Sequence, residues 1–142
     1  MNAADHLLGE DALARHGART ALVSAERTLT YRELAADMAR AANALRALGI
    51  RPGERVLLLL RDTPEFVAAW LGAVHAGAVS VGLNSKLVEA DYRHMVADSE
   101  ARLLIADEDL LPVLGPLAAE LEGKQRLVRG AAWLAHAGRA GP

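Results

Sequence analysis

The alternation of short apolar runs and helical stretches between residues 55 and 128 most constrains the fold of this chain. The clearest run is VLLLL at residues 56–60, in which no polar residue separates the apolar ones. Strands of this kind are covered on both faces, as in a parallel sheet that lies between helices. The pattern therefore predicts an α/β fold with a mostly parallel sheet, flanking helices and right-handed crossovers.

The bounds of the predicted elements follow from apolar spacing and from Gly and Pro. Strands are expected at 56–60, 79–81, 103–106 and, more weakly, 126–128. Helices are expected at 64–76, 89–98 and 110–121, between the strands. Because apolar residues dominate these strands, we expect their apolar side chains to form the sheet core. This core contains Val56, Leu58, Leu60, Val79, Val81, Leu104 and Ile105.

The first third of the chain predicts a short helix at 5–15, an antiparallel hairpin and a longer helix. Residues 21–24 and 28–31 flank a polar trio, which is typical of a β-hairpin. Thr30 and Glu33 have the spacing of a capping box, in which each side chain binds a free backbone amide of the other residue. Apolar residues then recur at helical spacing over 31–48, which predicts one buried face. That face contains Leu34, Met38, Ala41, Leu45 and Leu48.

Composition excludes several classes of function. A net charge of −2 with 24% charged residues gives no electrostatic basis for binding nucleic acid or an anionic membrane. The chain has no cysteine, which excludes disulfides, thiolate metal ligands and cysteine nucleophiles. The histidines lack metal-binding spacing, so we expect no metal site. An acidic N-terminus and the short apolar runs lead us to expect a cytoplasmic protein without a secretory signal or membrane helix.

Two segments carry motifs that point to a family. The first is LTYREL at residues 29–34, and the second is LGAVHAGAVSVGLNSKL at residues 71–87. The second motif combines an apolar helix that ends at Gly77, a short strand, and a polar turn with Asn84, Ser85 and Lys86. The carboxyl end of a strand is where open α/β sheets bind ligands. We expect a positive φ at Gly77, so that Gly77→Val is destabilising, and close packing of helix on sheet at Gly72, where Gly72→Ala should be much less destabilising.

In this order and at this spacing, the two motifs resemble the first two core motifs of the adenylate-forming superfamily. This superfamily includes acyl- and aryl-CoA synthetases, luciferases and the adenylation domains of peptide synthetases. The resemblance runs from about residue 2 to about residue 111, and the sequence at 2–9 and 90–105 looks closest to that of benzoate–CoA ligases. It implies part of the N-terminal domain of an enzyme that converts a carboxylic acid and ATP into an acyl-adenylate, and then into acyl-CoA.

For the chain alone, the resemblance implies less. The Ser/Thr/Gly-rich phosphate loop, the acidic ribose ligand and the C-terminal lysine of the family have no counterpart here. We therefore interpret the chain as a fragment without catalytic residues, with residues 1–129 as a single α/β domain and 130–142 as a flexible tail. We expect no cofactor on the chain alone, whereas ATP, Mg²⁺ and coenzyme A serve the full-length enzyme. The implied partners are the remainder of the enzyme and, for the full-length protein, a small carboxylic acid. Self-association into a homo-oligomer is also compatible with the sequence.

Lys86 is the candidate site residue. In some relatives the corresponding turn reads Asn-Pro-Arg-Leu, and its basic residue contacts the phosphates of coenzyme A. Here the turn reads Asn84-Ser85-Lys86-Leu87, which keeps a cation. The resemblance thus implies that Lys86 contacts a coenzyme A phosphate, and an exposed, solvated lysine is the alternative.

Three functions stay open from the sequence. The first is part of an acid–CoA ligase, with an aromatic substrate such as benzoate. The second is a non-catalytic α/β scaffold or interaction domain derived by truncation. The third is part of an adenylation domain that loads a carrier protein.

Overall fold

The computed structural model describes residues 2–142, which contain seven α-helices, six strands and one 3₁₀ helix. The first elements are α1 (Ala3–Leu8), α2 (Glu10–His16), β1 (Thr20–Val23), β2 (Thr28–Thr30) and α3 (Tyr31–Ala47). Next come β3 (Arg55–Leu59), α4 (Pro64–His75), β4 (Val79–Gly82), α5 (Glu89–Ser99) and β5 (Leu103–Ala106). The chain ends with the 3₁₀ helix Glu108–Leu114, then α6 (Leu117–Gly123), β6 (Leu127–Arg129) and α7 (Gly130–Arg139).

Four parallel strands form a sheet in the order β4-β3-β5-β6. β1 and β2 form a separate antiparallel pair. The predicted α/β fold, with a parallel sheet, flanking helices and an N-terminal hairpin, is therefore confirmed. None of the helices within residues 2–142 combines the length and the apolar character that crossing a membrane requires.

Helices cover both faces of the sheet, and the alternation of side chains along β3 shows why. Leu57 and Leu59 pack with residues of α5, α6 and the 3₁₀ helix. Val56 and Leu58 pack on the other face, with residues of α3, α4 and α7. An uninterrupted apolar strand fills both of these cores at once, which accounts for the VLLLL run.

The capping box at the start of α3 is present. The Thr30 hydroxyl oxygen accepts a hydrogen bond from the Glu33 amide at 3.1 Å, and a Glu33 carboxylate oxygen accepts one from the Thr30 amide at 2.9 Å. Of the five predicted core residues of this helix, all but Leu48 are buried, and Leu48 is half-buried. The local sequence therefore determines both the first residue and the buried face of α3.

Two predicted helices are divided in the structure. Gly9 has extended backbone angles between α1 and α2, so residues 5–15 do not form one helix. The region 110–121 is also interrupted, because Pro112 lies in a 3₁₀ segment that ends at Gly115, which has a φ of +54°. Pro removes a backbone donor and a positive φ ends a helix, so apolar spacing alone gave helices that were too long.

Most of the region predicted as a flexible tail, 130–142, is helical in the structure. Residues 130–139 form α7, and Trp133 is only 3% exposed within the core beneath α3 and α4. The Asn43 amide also donates a hydrogen bond to the Gly141 carbonyl at 2.7 Å. Abundant Ala and Gly suggested fraying, but one aromatic side chain has a long-range burial site. The treatment of 1–129 as one domain stays a prediction.

The predicted sheet core is correct in the two central strands and partly wrong at the edge. Val56, Leu58, Leu104 and Ile105 are buried. Leu60 and Val81 are half-buried, and Val79 is 47% exposed. β4 is the outer strand on its side of the sheet, so its residues have a covering neighbour on one side only.

Gly77 and Gly72 confirm one prediction and overturn another. Gly77 has a φ of +84°, as expected for a residue that ends a helix. Gly72 packs against α3 rather than the sheet, and a Cβ there would lie 2.6 Å from the Ala41 Cβ and 3.0 Å from the Met38 carbonyl oxygen. Gly72 therefore sets how closely α3 and α4 approach, and the expected packing of Gly72 on the sheet is wrong. The smaller cost expected for Gly72→Ala than for Gly77→Val stays a prediction.

Candidate functional site

The candidate site is the carboxyl edge of the sheet, which we define as residues 60–62, 83–86 and 107–109. These residues directly follow β3, β4 and β5, which run in the same direction. The carboxyl ends of parallel strands therefore meet at this edge, where α/β sheets bind ligands.

Arg61 is the centre of this edge. Its backbone amide donates to Asp107 Oδ2 at 2.8 Å, and its Nε and Nη2 each lie 2.6 Å from Asp109 Oδ2. The hydrogen bond and charge of Asp109 raise the pKa of Arg61, and the same contact lowers the pKa of Asp109. Arg61 thus joins the end of β3 to the region after β5, and its charge is already matched by carboxylates.

The turn after β4 is held by α5. The Tyr92 hydroxyl, on a fully buried side chain, donates to the Asn84 carbonyl oxygen at 2.6 Å and accepts from the Leu87 amide at 3.2 Å. The Asn84 side-chain oxygen accepts from the Lys86 amide at 2.8 Å, which closes the turn locally. The backbone that carries Lys86 is therefore anchored to the core on both sides.

Lys86 is exposed on this turn, as predicted. It takes part in none of the ion pairs found within residues 2–142, so its ammonium group faces solvent. Its neighbours Asn84 and Ser85 line a cleft of about 300 Å³ beside Arg61 and Asp62, but Lys86 does not line it. The structure thus places Lys86 at the rim of the carboxyl edge, and a contact with coenzyme A stays a prediction.

The segment between β3 and α4 has the structural role that its sequence indicates. Pro64 is the first residue of α4, Thr63 is at the N-cap position, and Glu65 lies in the first turn. The Thr63 side chain makes no capping hydrogen bond, and Glu65 lies 3.3 Å from Arg27. Glu65 therefore balances the helix dipole and a neighbouring arginine, and its negative charge disfavours a phosphate there.

A nucleoside triphosphate with its metal ion does not fit the carboxyl edge as this chain forms it. Asp62, Asp107, Glu108 and Asp109 contribute carboxylates there, and Arg61 is already bound to two of them. Among residues 2–142, no three His, Cys, Asp or Glu side chains are grouped as ligands for a metal ion. A triphosphate with its metal needs converging amides and cations, which must come from other residues.

Sequence reasoning predicted the exposed position of Lys86 on this edge but missed Arg61 and Tyr92. Arg61 directly follows a buried strand, and a charged residue at that position is the signal that could have identified it. For Tyr92, the available signal is one aromatic residue within the otherwise polar helix α5. Neither position reveals its hydrogen-bond partner, because the partners lie on other elements.

Comparison with known proteins gives a consistent result. A family model described as AMP-binding enzyme matches residues 9–137. The chain is 47% identical, over 131 residues, to a 3-hydroxybenzoate–CoA/4-hydroxybenzoate–CoA ligase of Thauera aromatica, and the match covers 92% of this chain and 25% of that protein. It is 38% identical to a benzoate–CoA ligase of the same organism, covering 89% of this chain and 24% of that protein.

A solved structure with the same fold is a benzoate–CoA ligase from Burkholderia xenovorans LB400. The TM-score is 0.83 at 32% sequence identity, and the match covers 100% of this chain and 29% of that one. The chain therefore spans about a quarter of the length of the curated relatives it matches.

Proposed function

Because this chain belongs to the AMP-binding enzyme family, we propose that it forms the first part of the N-terminal domain of an ATP-dependent acid–CoA ligase. The proposed substrate is an aromatic carboxylic acid such as benzoate or a hydroxybenzoate. The whole enzyme would join the acid to AMP and then transfer the acyl group to coenzyme A. The observation that carries this proposal is the 47% identity to a hydroxybenzoate–CoA ligase across almost the whole chain.

In such an enzyme, this chain would support the reacting groups rather than supply them. The Arg61 bridge fixes the ends of β3 and β5 relative to each other, and Tyr92 holds the turn after β4 against α5. Substrate-binding loops attached to this edge would thereby be held in place, which is how a rigid scaffold positions residues for chemistry.

A hybrid enzyme tests the proposal. The matching segment of the Thauera aromatica hydroxybenzoate–CoA ligase would be replaced by this chain. We expect the hybrid to catalyse pyrophosphate exchange with 3-hydroxybenzoate and to form the CoA thioester. A hybrid that is folded, as judged by circular dichroism, but inactive in both assays would contradict the proposal.

Lys86 can be tested in the same hybrid. Within this proposal, its ammonium group contacts a phosphate of coenzyme A, so Lys86→Ala should raise the KM for coenzyme A. We expect a rise of about fivefold, equivalent to roughly 1 kcal/mol, as for an exposed ion pair. Pyrophosphate exchange should stay unchanged, because coenzyme A takes no part in it.

The matched control for this test is Lys124→Ala. Lys124 is the other lysine of the chain, and it is exposed at the end of α6, before β6 begins. It therefore lies toward the opposite edge of the sheet and should leave both assays unchanged. Equal losses in pyrophosphate exchange and thioester formation for Lys86→Ala would rule out a role restricted to coenzyme A.

A further inference from the structure

Tyr92 lies in the core, yet its hydroxyl reaches the turn that carries Lys86. The side chain is 0% exposed and belongs to the cluster that contains Leu57 and Leu59. A hydroxyl in such a place costs free energy unless it has hydrogen-bond partners, whereas a phenylalanine would fill the same space without that cost. The partners of the hydroxyl therefore indicate why a tyrosine occupies this position.

The two hydrogen bonds of the Tyr92 hydroxyl have opposite directions. It donates to the Asn84 carbonyl oxygen at 2.6 Å and accepts from the Leu87 amide at 3.2 Å. A carbonyl only accepts and an amide only donates, so a single atom can serve both groups only if it does both, as a hydroxyl oxygen does. Tyr92 thus holds the backbone on both sides of Ser85 and Lys86 at one point.

Within residues 2–142, these two bonds are the hydrogen bonds that join the turn at 84–87 to the rest of the chain. The bond from the Asn84 side chain is internal to the turn. The last bond of the strand, at the Leu83 amide, comes before the turn, and the bond of the Val88 amide at the start of α5 comes after it. The conformation of the turn relative to the core therefore depends on Tyr92.

Loss of the hydroxyl would leave two backbone groups without partners. The Leu87 side chain packs against the same apolar cluster as Tyr92, so the Asn84 carbonyl and the Leu87 amide lie next to apolar atoms. Unpaired polar groups there cost free energy, and water can bind them only when the turn moves away from α5. The turn would then populate open conformations in which Lys86 has no fixed position.

We propose that Tyr92 is a positioning residue, whose hydroxyl keeps the turn in one conformation and thereby fixes where Lys86 projects from the carboxyl edge. The consequence for catalysis rests on the proposed function, in which Lys86 contacts a phosphate of coenzyme A. A backbone fixed in advance reduces the entropy that is lost when a flexible lysine binds an anion. Tyr92 therefore supports thioester formation without touching a substrate.

Proteolysis of the 142-residue chain tests the hold on the turn. Lys86 and Lys124 are the two lysines of the chain, and a lysine-specific protease cuts the bond between Lys86 and Leu87, whose amide the Tyr92 hydroxyl binds. The rate of cutting follows the population of the locally open chain. We expect Tyr92→Phe to raise cutting after Lys86 by about fivefold or more, as for a lost buried hydrogen bond, and to leave cutting after Lys124 unchanged.

Tyr31→Phe is the matched control for this test. Tyr31 is the other tyrosine of the chain, and it packs against the cluster formed by α1, α3 and α4 rather than the cluster of Tyr92. Its substitution should leave both rates unchanged, and chemical denaturation shows that each variant is folded. An unchanged rate after Lys86 in Tyr92→Phe, or an equal rise after both lysines, would contradict the proposal.

Hydrogen exchange of the unmodified chain gives a test that needs no variant. The Leu87 amide is bonded to Tyr92, whereas the Ser85 amide in the same turn has no acceptor among residues 2–142. After correction for intrinsic rates, we expect the Leu87 amide to exchange at least about tenfold more slowly than the Ser85 amide. Equal exchange of the two amides would show that the hydroxyl does not hold the turn.

The hybrid enzyme tests the link to Lys86. Tyr92→Phe should raise the KM for coenzyme A by about threefold, a part of the effect of removing the ammonium group, and leave pyrophosphate exchange unchanged. In a Lys86→Ala background, Tyr92→Phe should cause no further rise, because the position of the turn matters only when the cation is present. A purely structural role would give the same loss in both backgrounds.

Failure of this inference and failure of the proposed function give different results. A hybrid that is inactive without any substitution contradicts the proposed function, and the proteolysis of the chain still decides whether Tyr92 holds the turn. An equal loss of pyrophosphate exchange and thioester formation in Tyr92→Phe would overturn the positioning role. So would a rise in KM that persists in the Lys86→Ala background.

Discussion

At the scale of single residues, Gly72 and Gly77 are required for different physical reasons. Gly77 has a backbone angle that side chains disfavour, with a φ of +84°. Gly72 is required by contact, because any Cβ would meet α3 at 2.6 Å. The sequence shows two similar glycines five positions apart. Only the packed structure shows that one is required by its backbone angle and the other by lack of space.

We expect Gly72→Ala and Gly77→Val each to destabilise the chain. For Gly72→Ala the cost should be about 1–3 kcal/mol, as for overpacking of a tight core. For Gly77→Val, a β-branched residue at positive φ should cost at least about 1 kcal/mol. Chemical denaturation measures both costs.

Gly138→Ala is the matched control, because Gly138 lies within α7 with open space around it. An alanine there should be neutral or stabilising by up to about 1 kcal/mol. A Gly72→Ala chain that is as stable as the wild type would show that α3 and α4 can separate at little cost.

At the scale of elements, the start of α3 should make stability depend on pH. The pKa of Glu33 is held below its ordinary range, chiefly because its carboxylate accepts the Thr30 amide. A lowered pKa in the folded state contributes stability above the unfolded pKa of about 4.3, and that contribution is lost as pH falls through the folded value. The stability difference between the wild type and Glu33→Ala should therefore shrink below about pH 4.

Denaturation at several pH values between 7 and 3 measures this effect. Glu33→Gln is the control, because its amide keeps an oxygen acceptor but does not titrate. It should differ from the wild type by an amount that varies at low pH, whereas its difference from Glu33→Ala should stay constant. A wild-type advantage over Glu33→Ala that persists unchanged at pH 3 would contradict the assigned cause.

The docking of α7 depends on one side chain. Trp133 is 3% exposed and belongs to the cluster that contains Val56 and Leu58. Trp133→Ala should cost about 3 kcal/mol through lost burial and a cavity, measured by chemical denaturation. Leu134→Ala, on the same helix but half-exposed, should change stability by less than about 0.5 kcal/mol. Equal effects of the two changes would show that α7 is not docked through Trp133.

At the scale of the whole molecule, the carboxyl edge has an acidic character. Its main cation, Arg61, is bound to Asp107 and Asp109, and Asp62 adds a further carboxylate. Because like charges repel and a triphosphate needs several converging donors, we expect the chain alone to show no saturable binding of Mg-ATP.

Calorimetric titration with Mg-ATP and a pyrophosphate-exchange assay with benzoate test this expectation on the 142-residue chain. The active hybrid enzyme proposed above serves as the positive control in both measurements. Saturable binding of Mg-ATP by the chain alone at micromolar concentration would require a phosphate site within these residues, and would contradict the assignment of the ATP site to other parts of the enzyme.

The sequence by itself determined what depends on neighbouring residues. Strand and helix alternation gave the parallel α/β fold, Thr30 and Glu33 gave the start of α3, and Gly77 gave the end of α4. These features follow from periodicity and backbone conformation, which act over a few positions along the chain. The exposure of Lys86 was predictable for the same reason, since it lies in a short polar turn.

Only the tertiary structure decided features that depend on residues far apart in sequence. Arg61 binds Asp109, Gly72 meets α3, and Trp133 is buried beneath a distant helix. Val79 is exposed because β4 is an outer strand, which its own apolar sequence does not reveal. Burial and pairing depend on which elements become neighbours after folding, and that arrangement minimises the free energy of the whole chain rather than of any one segment.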